Sequence, residues 1–381
     1  MNFFTIEQKN TKNGFDIYPS FVVSGSSNDI MTRGKAFYAI WDEEKGLWST
    51  NESDVVRIVD KELKEYADKL NNPLGHVRWM RNYSSGSWKE FKKFLKDAPD
   101  SAKQLDNKII FASDKTTKKD YASRRLPYDL EDKDCPSWNE LVGTLYSPEE
   151  KEKIEWAIGS ILAGDSVSIQ KFFVFYGEPG SGKSTILNII QQMFEGYCAE
   201  FEAKDIVGRN NMFALEQFST NPLIAVQHDG DLSKIEDNTK LNSLVSHETM
   251  LVNEKYKSPY SMKFNCLLFM STNKPIKITD AKSGIIRRLI DIHPTGNLVS
   301  PKKYQALMTK ILFEYGAIAN HCLNVYKECG KHYYNDYKPF EMISKTDVFY
   351  NFVEDSFDTF FSKSIHWHLI LKTTIFIINL I

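Results

Sequence analysis

Phe172-Phe173-Val174-Phe175-Tyr176 runs directly into Gly177-Glu178-Pro179-Gly180-Ser181-Gly182-Lys183-Ser184-Thr185, and this junction decides how the chain is read. The first five residues are a continuous apolar run of strand type. The nine that follow fit a glycine, four residues, a second glycine, a lysine and a serine or threonine. Each residue type has a physical purpose at that spacing. Glycines let backbone N–H groups turn inward around phosphate oxygens, Lys183 reaches the β- and γ-phosphates of ATP, and Ser184 offers a hydroxyl to Mg²⁺. Ile186, Ile189 and Ile190 continue the segment as a helix, whose positive end faces the same phosphates.

A nucleotide site of this kind needs a second strand that ends in carboxylates, to hold the metal and orient the attacking water. Pro222-Leu223-Ile224-Ala225-Val226 is such a strand and leads into Gln227-His228-Asp229-Gly230-Asp231. Asp229 is the candidate metal ligand beside Ser184, and Asp231 the candidate second carboxylate. A third strand, Phe264 to Met270, runs into Ser271-Thr272-Asn273-Lys274-Pro275, which places Asn273 to sense a γ-phosphate by hydrogen bonding. Gly284 to Ile292 then sets Arg287 and Arg288 at the start of an apolar strand. One of the two is a candidate for an arginine supplied to a neighbouring subunit's phosphoryl group. Between these strands, Met250 to Lys263 has apolar ends and a basic, tyrosine-bearing middle, which predicts a hairpin with an exposed tip. Lys255, Tyr256, Lys257 and Lys263 are its candidate DNA contacts, because lysines neutralise phosphates and tyrosines stack on bases.

Composition sets bounds on these readings. The chain has 381 residues, 42% hydrophobic and 26% charged, with a formal net charge of −2, so it falls in the ordinary globular class. Near-neutral charge confines any nucleic-acid binding to local patches or to an assembly that focuses charge. Five scattered cysteines fit a reducing, intracellular compartment rather than a disulfide framework. Met1 to Phe21 lacks the pattern of a secretory signal, so a cytoplasmic location in a host cell is expected. Leu369 to Ile381 is apolar but shorter than the roughly 20 residues a spanning helix needs, and Lys372 interrupts it, so no membrane anchor is expected.

The chain divides at 1–130, 131–298 and 299–381. In the first part, Ala36–Trp41 and Leu47–Thr50 predict a hairpin with Gly46 at its turn. A helix follows from Asn51 or Ser53 to Asn71-Asn72-Pro73. Arg78 to Arg125 holds thirteen Lys/Arg against six Asp/Glu, with Trp79 and Trp88; it reads either as a DNA-contacting collar or as a solvated surface over buried tryptophans. Pro127 to Pro136 is acidic and serves as the linker. Ser147-Pro148 opens a helix that runs to Gly164, and 303–329 reads as another long helix. His321, Cys322, Cys329 and His332 invite a zinc reading, but Cys322 and Cys329 are seven apart on one face of the latter helix, which suits core packing better than zinc.

Phosphate loop, acid-ended strand, lysine-bearing hairpin, Ser-Thr-Asn-Lys-Pro and arginine pair, in this order within about 110 residues, resemble the superfamily 3 helicases. The likeness is to the helicase portion of phage, plasmid and poxvirus primase-helicases and covers roughly 147–295. It implies an AAA-like P-loop ATPase core, α/β with a parallel-type central sheet, preceded by a smaller α+β N-terminal module. It also implies homo-hexameric rings that hydrolyse ATP with Mg²⁺ to move 3′ to 5′ on single-stranded or forked DNA. Two departures stand out. His228-Asp229-Gly230-Asp231 spaces acids that the family places side by side, which leaves the water-activating residue open. Residues 1–130 hold no metal-binding acidic triad, so a separate primase is the expected replication partner. Thr346 to Phe357 resembles the start of the family's small C-terminal domain, and the apolar run after it suggests a truncated or frame-shifted end. A non-unwinding DNA-binding ATPase or loader, and a small-molecule P-loop kinase, are the alternative readings.

Overall fold

Four of the five strands of the central sheet send side chains into two different cores. In the computed structural model, which describes residues 3–21, 29–34, 37–79, 86–208, 211–231, 238–255, 259–276 and 284–346, that sheet has five strands. They are β7 (Phe172–Tyr176), β8 (Cys198–Glu200), β9 (Ile224–Gln227), β12 (Leu267–Thr272) and β13 (Leu289–Ile292). Their order is β13-β7-β12-β9-β8 and every pairing is parallel. Phe173, Phe175, Ile224, Val226, Leu267, Phe269, Ile290 and Ile292 face one core. Phe172, Val174, Ala225, Leu268, Met270 and Leu289 face the other. Burial on both faces is why β7 reads as an unbroken apolar run instead of an alternating one.

The first core is closed by α3 (Pro136–Leu145), α4 (Pro148–Leu162), α5 (Lys183–Met193), α8 (Pro301–Ile311) and α9 (Tyr315–Cys329). The Ser147 side chain caps α4 by accepting from Glu150 N, with Pro148 at its first position. Gly159 lets α4 approach α9 so closely that a Cβ there would stand 2.1 Å from the Cys322 carbonyl oxygen. Cys322 is fully buried in this core, and His321 Nε2 bonds Glu155 Oε1 at 3.0 Å. The second core lies under α6 (Ala203–Val207), α7 (Thr239–Val245) and α10 (Phe340–Thr346), with a hairpin of β10 (Thr249–Val252) and β11 (Tyr260–Lys263) at its border.

The expected long helix over 303–329 is two helices. Neither glycine nor proline breaks it. Glu314 instead turns its carboxylate to the start of α3, where it accepts from Ser137 N and Trp138 N, both at 3.1–3.2 Å, and the chain redirects around it.

The N-terminal residues form two small sheets. One joins β1 (Phe4–Thr11), β2 (Gly14–Phe21) and β6 (Gly75–Val77); the other joins β3 (Ile30–Arg33), β4 (Phe37–Asp42) and β5 (Leu47–Ser49). The expected hairpin is the β4–β5 pair. The helix after it, α1 (Glu52–Leu70), is capped by the Asn51 side chain accepting from Ser53 N. Together with α2 (Gly86–Asp97) it encloses a core in which Trp88, Phe91 and Phe94 are buried. Trp88, Phe91 and Phe94 of the basic stretch thus pack inward, while Lys89, Lys93 and Lys96 face solvent.

Candidate functional site

The order of the sheet builds the site. β12 comes last of β7, β9 and β12 in the chain yet lies between the other two, so three loops leave the same edge side by side. They carry Gly177 to Lys183, Asn273 and Asp229, at the carboxyl ends of parallel strands where α/β folds bind ligands.

Lys183 opens α5 and is 6% exposed. Its Nζ donates to Gly177 O at 2.7 Å, Glu178 O at 2.8 Å and Asn273 Oδ1 at 2.8 Å. All three partners are neutral, and no carboxylate lies within ion-pair distance among the described residues. Burial holds its pKa below the ordinary lysine value, against the raising effects of Asp229 and Glu178. A buried ammonium without a close counter-charge, at the mouth of a glycine loop, suits an anionic ligand. Gly182 makes the loop possible: it sits at φ +94°, and a Cβ there would stand 2.9 Å from Leu145 Cδ1.

Asn273 bridges. Its Oδ1 accepts from Lys183, and its Nδ2 donates to Asp229 Oδ1 at 3.3 Å. Asp229 is held in the left-handed region at φ +56°, where its N–H donates to Ser271 Oγ at 3.1 Å. Gly230 N donates to Ser271 O at 2.6 Å, so the acid's backbone is tied to β12 twice. Ser184 is exposed beside this row. Ser184 and Asp229 are therefore the residues that could hold a divalent cation, while the backbone N–H groups and Lys183 could hold phosphate oxygens. Thr185 Oγ1 is 3.4 Å from Tyr304 OH.

Asp231 points elsewhere. It accepts from Lys274 Nζ at 2.7 Å, so the second acid and the lysine after Asn273 neutralise each other. The arginine pair divides. Arg288 is 6% exposed and spends its guanidinium on Ser246 Oγ at 2.6 and 3.0 Å and on Gly284 O at 2.8 Å. Arg287 is exposed. On the hairpin, Lys255 is exposed at the described end of the loop, and Lys263 is exposed at the base, paired with Thr249. Tyr256 and Lys257 lie outside the described residues, as do 347–381 with the apolar end.

Beneath the loop lies a group that motif reading did not find. Asp291 of β13, 1% exposed, accepts from Tyr337 Oη and from His293 Nε2 at 2.8 Å. Lys153 Nζ donates to Asp291 O at 2.8 Å, Glu150 Oε1 at 2.8 Å and Tyr337 Oη at 2.9 Å. The His293 ring stands edge-on to Tyr176, the residue that precedes Gly177. Burial would lower the His293 pKa, but its hydrogen bond to Asp291 and that carboxylate's charge outweigh it and the net shift is upward. Burial would raise Asp291, but bonds from His293 and Tyr337 leave it lowered. The one signal in sequence is a single acid inside the apolar strand Leu289-Ile290-Asp291-Ile292.

A model of a family of unknown function, DUF5906, matches residues 175–288, the span from β7 to the arginine pair. Among solved structures, two apo structures of the C-terminal region of NrS-1, one in its A form and one described as residues 305–718, each align with a TM-score of 0.50 at 13% identity. Both alignments cover 84% of this chain and 73% of that one. A further A-form structure of residues 305–718 of the same region aligns at 0.45 and 13% identity, over 83% of this chain and 74% of that one. At such identity the likeness is one of fold.

Proposed function

We propose that the chain is an ATP-dependent DNA helicase of the superfamily 3 type, serving replication of a phage or other mobile element. The observation that carries this reading is the continuous row Lys183–Asn273–Asp229 at the carboxyl edge of a parallel sheet. ATP would lie along Gly177, Glu178, Pro179, Gly180, Ser181, Gly182, Lys183, Ser184 and Thr185, and Ser184 and Asp229 are the residues that would hold Mg²⁺. Bound magnesium would supply charge neutralisation to the phosphates.

The chain's own groups divide the remaining work. Lys183 already has its ammonium desolvated and aimed, so a γ-phosphate replaces neutral carbonyl partners without reorganisation. Asn273 touches both the lysine and the acid, so a phosphate that displaces its contact with either one changes the other. Asp229 is the carboxylate beside the phosphates, whereas Asp231 is committed to Lys274 and holds that loop. Arg287, exposed at the edge of the sheet, is the arginine available to a neighbouring subunit's ATP in a homo-hexameric ring, and Arg288 is committed to packing. Lys255 and Lys263 would face single-stranded DNA with Tyr256 and Lys257. Among the described residues no helix is long and apolar enough to cross a membrane.

Steady-state ATP hydrolysis with and without single-stranded DNA, beside Lys183→Ala, tests the reading. DNA-stimulated turnover that falls at least 100-fold in the variant, together with strand separation on a forked duplex, is the expected result. Hydrolysis with neither stimulation nor strand separation would replace the helicase with a loader.

A further inference from the structure

Between the N-terminal module and the β10–β11 hairpin lies a cleft of about 370 Å³, within the size range of ligand sites. Three parts of the chain line it. The N-terminal sheet supplies Arg33 and Phe37, the long coil after α2 supplies Lys103 and Arg124, and the ATPase core supplies Tyr260.

The charges of the cleft do not balance. Its acids are Asp106 and Glu254, and both are engaged. Asp106 accepts from Ser123 N and from Ser123 Oγ and lies 3.4 Å from Arg124 Nε, while Glu254 accepts from Tyr260 Oη at 2.8 Å. Arg124 is thereby neutralised, and its Nη2 donates to Thr220 O. Arg33 and Lys103 have no carboxylate within ion-pair distance among the described residues. Three cations, Arg33, Lys103 and Arg124, stand against two carboxylates, Asp106 and Glu254, so the lining carries one net positive charge and favours an anion.

Arg33 is also held in place. It pairs with Phe37 across β3 and β4, and its guanidinium lies 4.9 Å from the Phe37 ring centroid and 4.7 Å from that of Tyr260. Placed over both rings, the guanidinium still has N–H groups that can fork onto a phosphate. The ring of Tyr260 belongs to the same hairpin that carries Lys255. Arg33 covers the ring faces it lies over, so the contact this cleft offers a single strand is to its phosphate.

We propose that this cleft binds one nucleotide unit of single-stranded DNA, with its phosphate on Arg33 and Lys103. The proposal rests on the helicase reading above and adds to it a contact outside the hairpin tip.

The test uses the full chain and a fluorescent oligothymidylate, with anisotropy measured over a range of salt. Lys103→Glu, on an exposed side chain, is expected to bind roughly tenfold more weakly, with a salt slope shallower by about 0.7 for each phosphate no longer neutralised, and to melt as the wild type does. Arg33→Lys, which keeps the charge without the planar fork, is expected to weaken binding by a smaller factor. An oligonucleotide carrying 5-iodouracil is expected to cross-link to Phe37 or Tyr260. Wild-type binding that Lys103→Glu leaves unchanged, or cross-links confined to 253–258, would overturn the cleft while leaving the helicase reading intact. A wild-type chain that hydrolyses ATP but binds no oligonucleotide would overturn both. The same titration with dTMP separates a strand from a free nucleotide: dTMP binding that Lys103→Glu weakens, beside oligonucleotide binding that it does not, sinks the strand assignment.

Discussion

The carboxyl edge of the central sheet and the cleft at the N-terminal module are built in opposite ways. At the sheet edge, nine consecutive residues supply the loop, and two strand ends add one side chain each. In the cleft, Arg33, Lys103 and Tyr260 come from positions tens to more than 200 residues apart, and no short motif holds any two of them. The first kind of site is legible because backbone N–H groups must be consecutive to surround a phosphate. The second needs only side chains that converge, and convergence leaves no local trace.

The contrast can be broken by experiment. The largest effect is expected from Arg287→Ala, just before β13 at the amino ends of the strands: turnover of the assembled protein should fall by about a thousandfold, the lower range for a finger supplied in trans, with the melting temperature unchanged. Normal turnover would remove Arg287 from the chemistry. Asn273→Ala should lower kcat by about 100-fold, as removal of one preorganised donor does, and leave ATP affinity within a few-fold in a nucleotide titration. An affinity drop as large as the kcat drop would make Asn273 a ground-state contact only.

Arg288→Ala separates packing from chemistry at the next position. It strips partners from Ser246 and the Gly284 carbonyl, which should destabilise the core by about 1–3 kcal/mol, read as a lower melting temperature. If it instead resembles Arg287→Ala, with turnover abolished and melting intact, the division between the two arginines fails.

The smallest effect concerns pH. His293 has a raised pKa in the folded chain, so the stability of its charged pair with Asp291 is fully present below the ordinary histidine value. It is lost as pH rises through the higher folded value. Thermal melts of the wild type should therefore decline on the alkaline side of about pH 6.5, and His293→Gln should flatten that decline. Because Tyr176 touches His293, a flattened curve would tie the strand before the loop to this buried pair.

Much of the fold follows from residues near each other in the chain. Ser147-Pro148 starts α4 because a hydroxyl oxygen can accept an otherwise unpaired N–H and proline has none to lose. Asn51 starts α1 for the same reason. The β4–β5 and β10–β11 hairpins are legible from apolar runs with polar turns. The break between α8 and α9 is not, because the cause is Glu314 bonding to α3, about 175 residues away.

From sequence alone came the candidates for meeting a nucleotide: a glycine loop with Lys183 and Ser184, an acid at 229, an amide at 273 and a pair of arginines. Sequence could not order the strands, since apolar runs of similar composition pair equally well in several orders and only the shared core selects one. That order sets Asn273 between Lys183 and Asp229, ties Asp231 to Lys274, buries Arg288 and leaves Arg287 exposed. Packing of the β3-β4-β5 sheet and the coil after α2 beside the hairpin sets Arg33 and Lys103 in one cleft. Local chemistry is written in residue types and spacing, whereas the partner of each charge is chosen by the packing that brings distant side chains within a few ångströms.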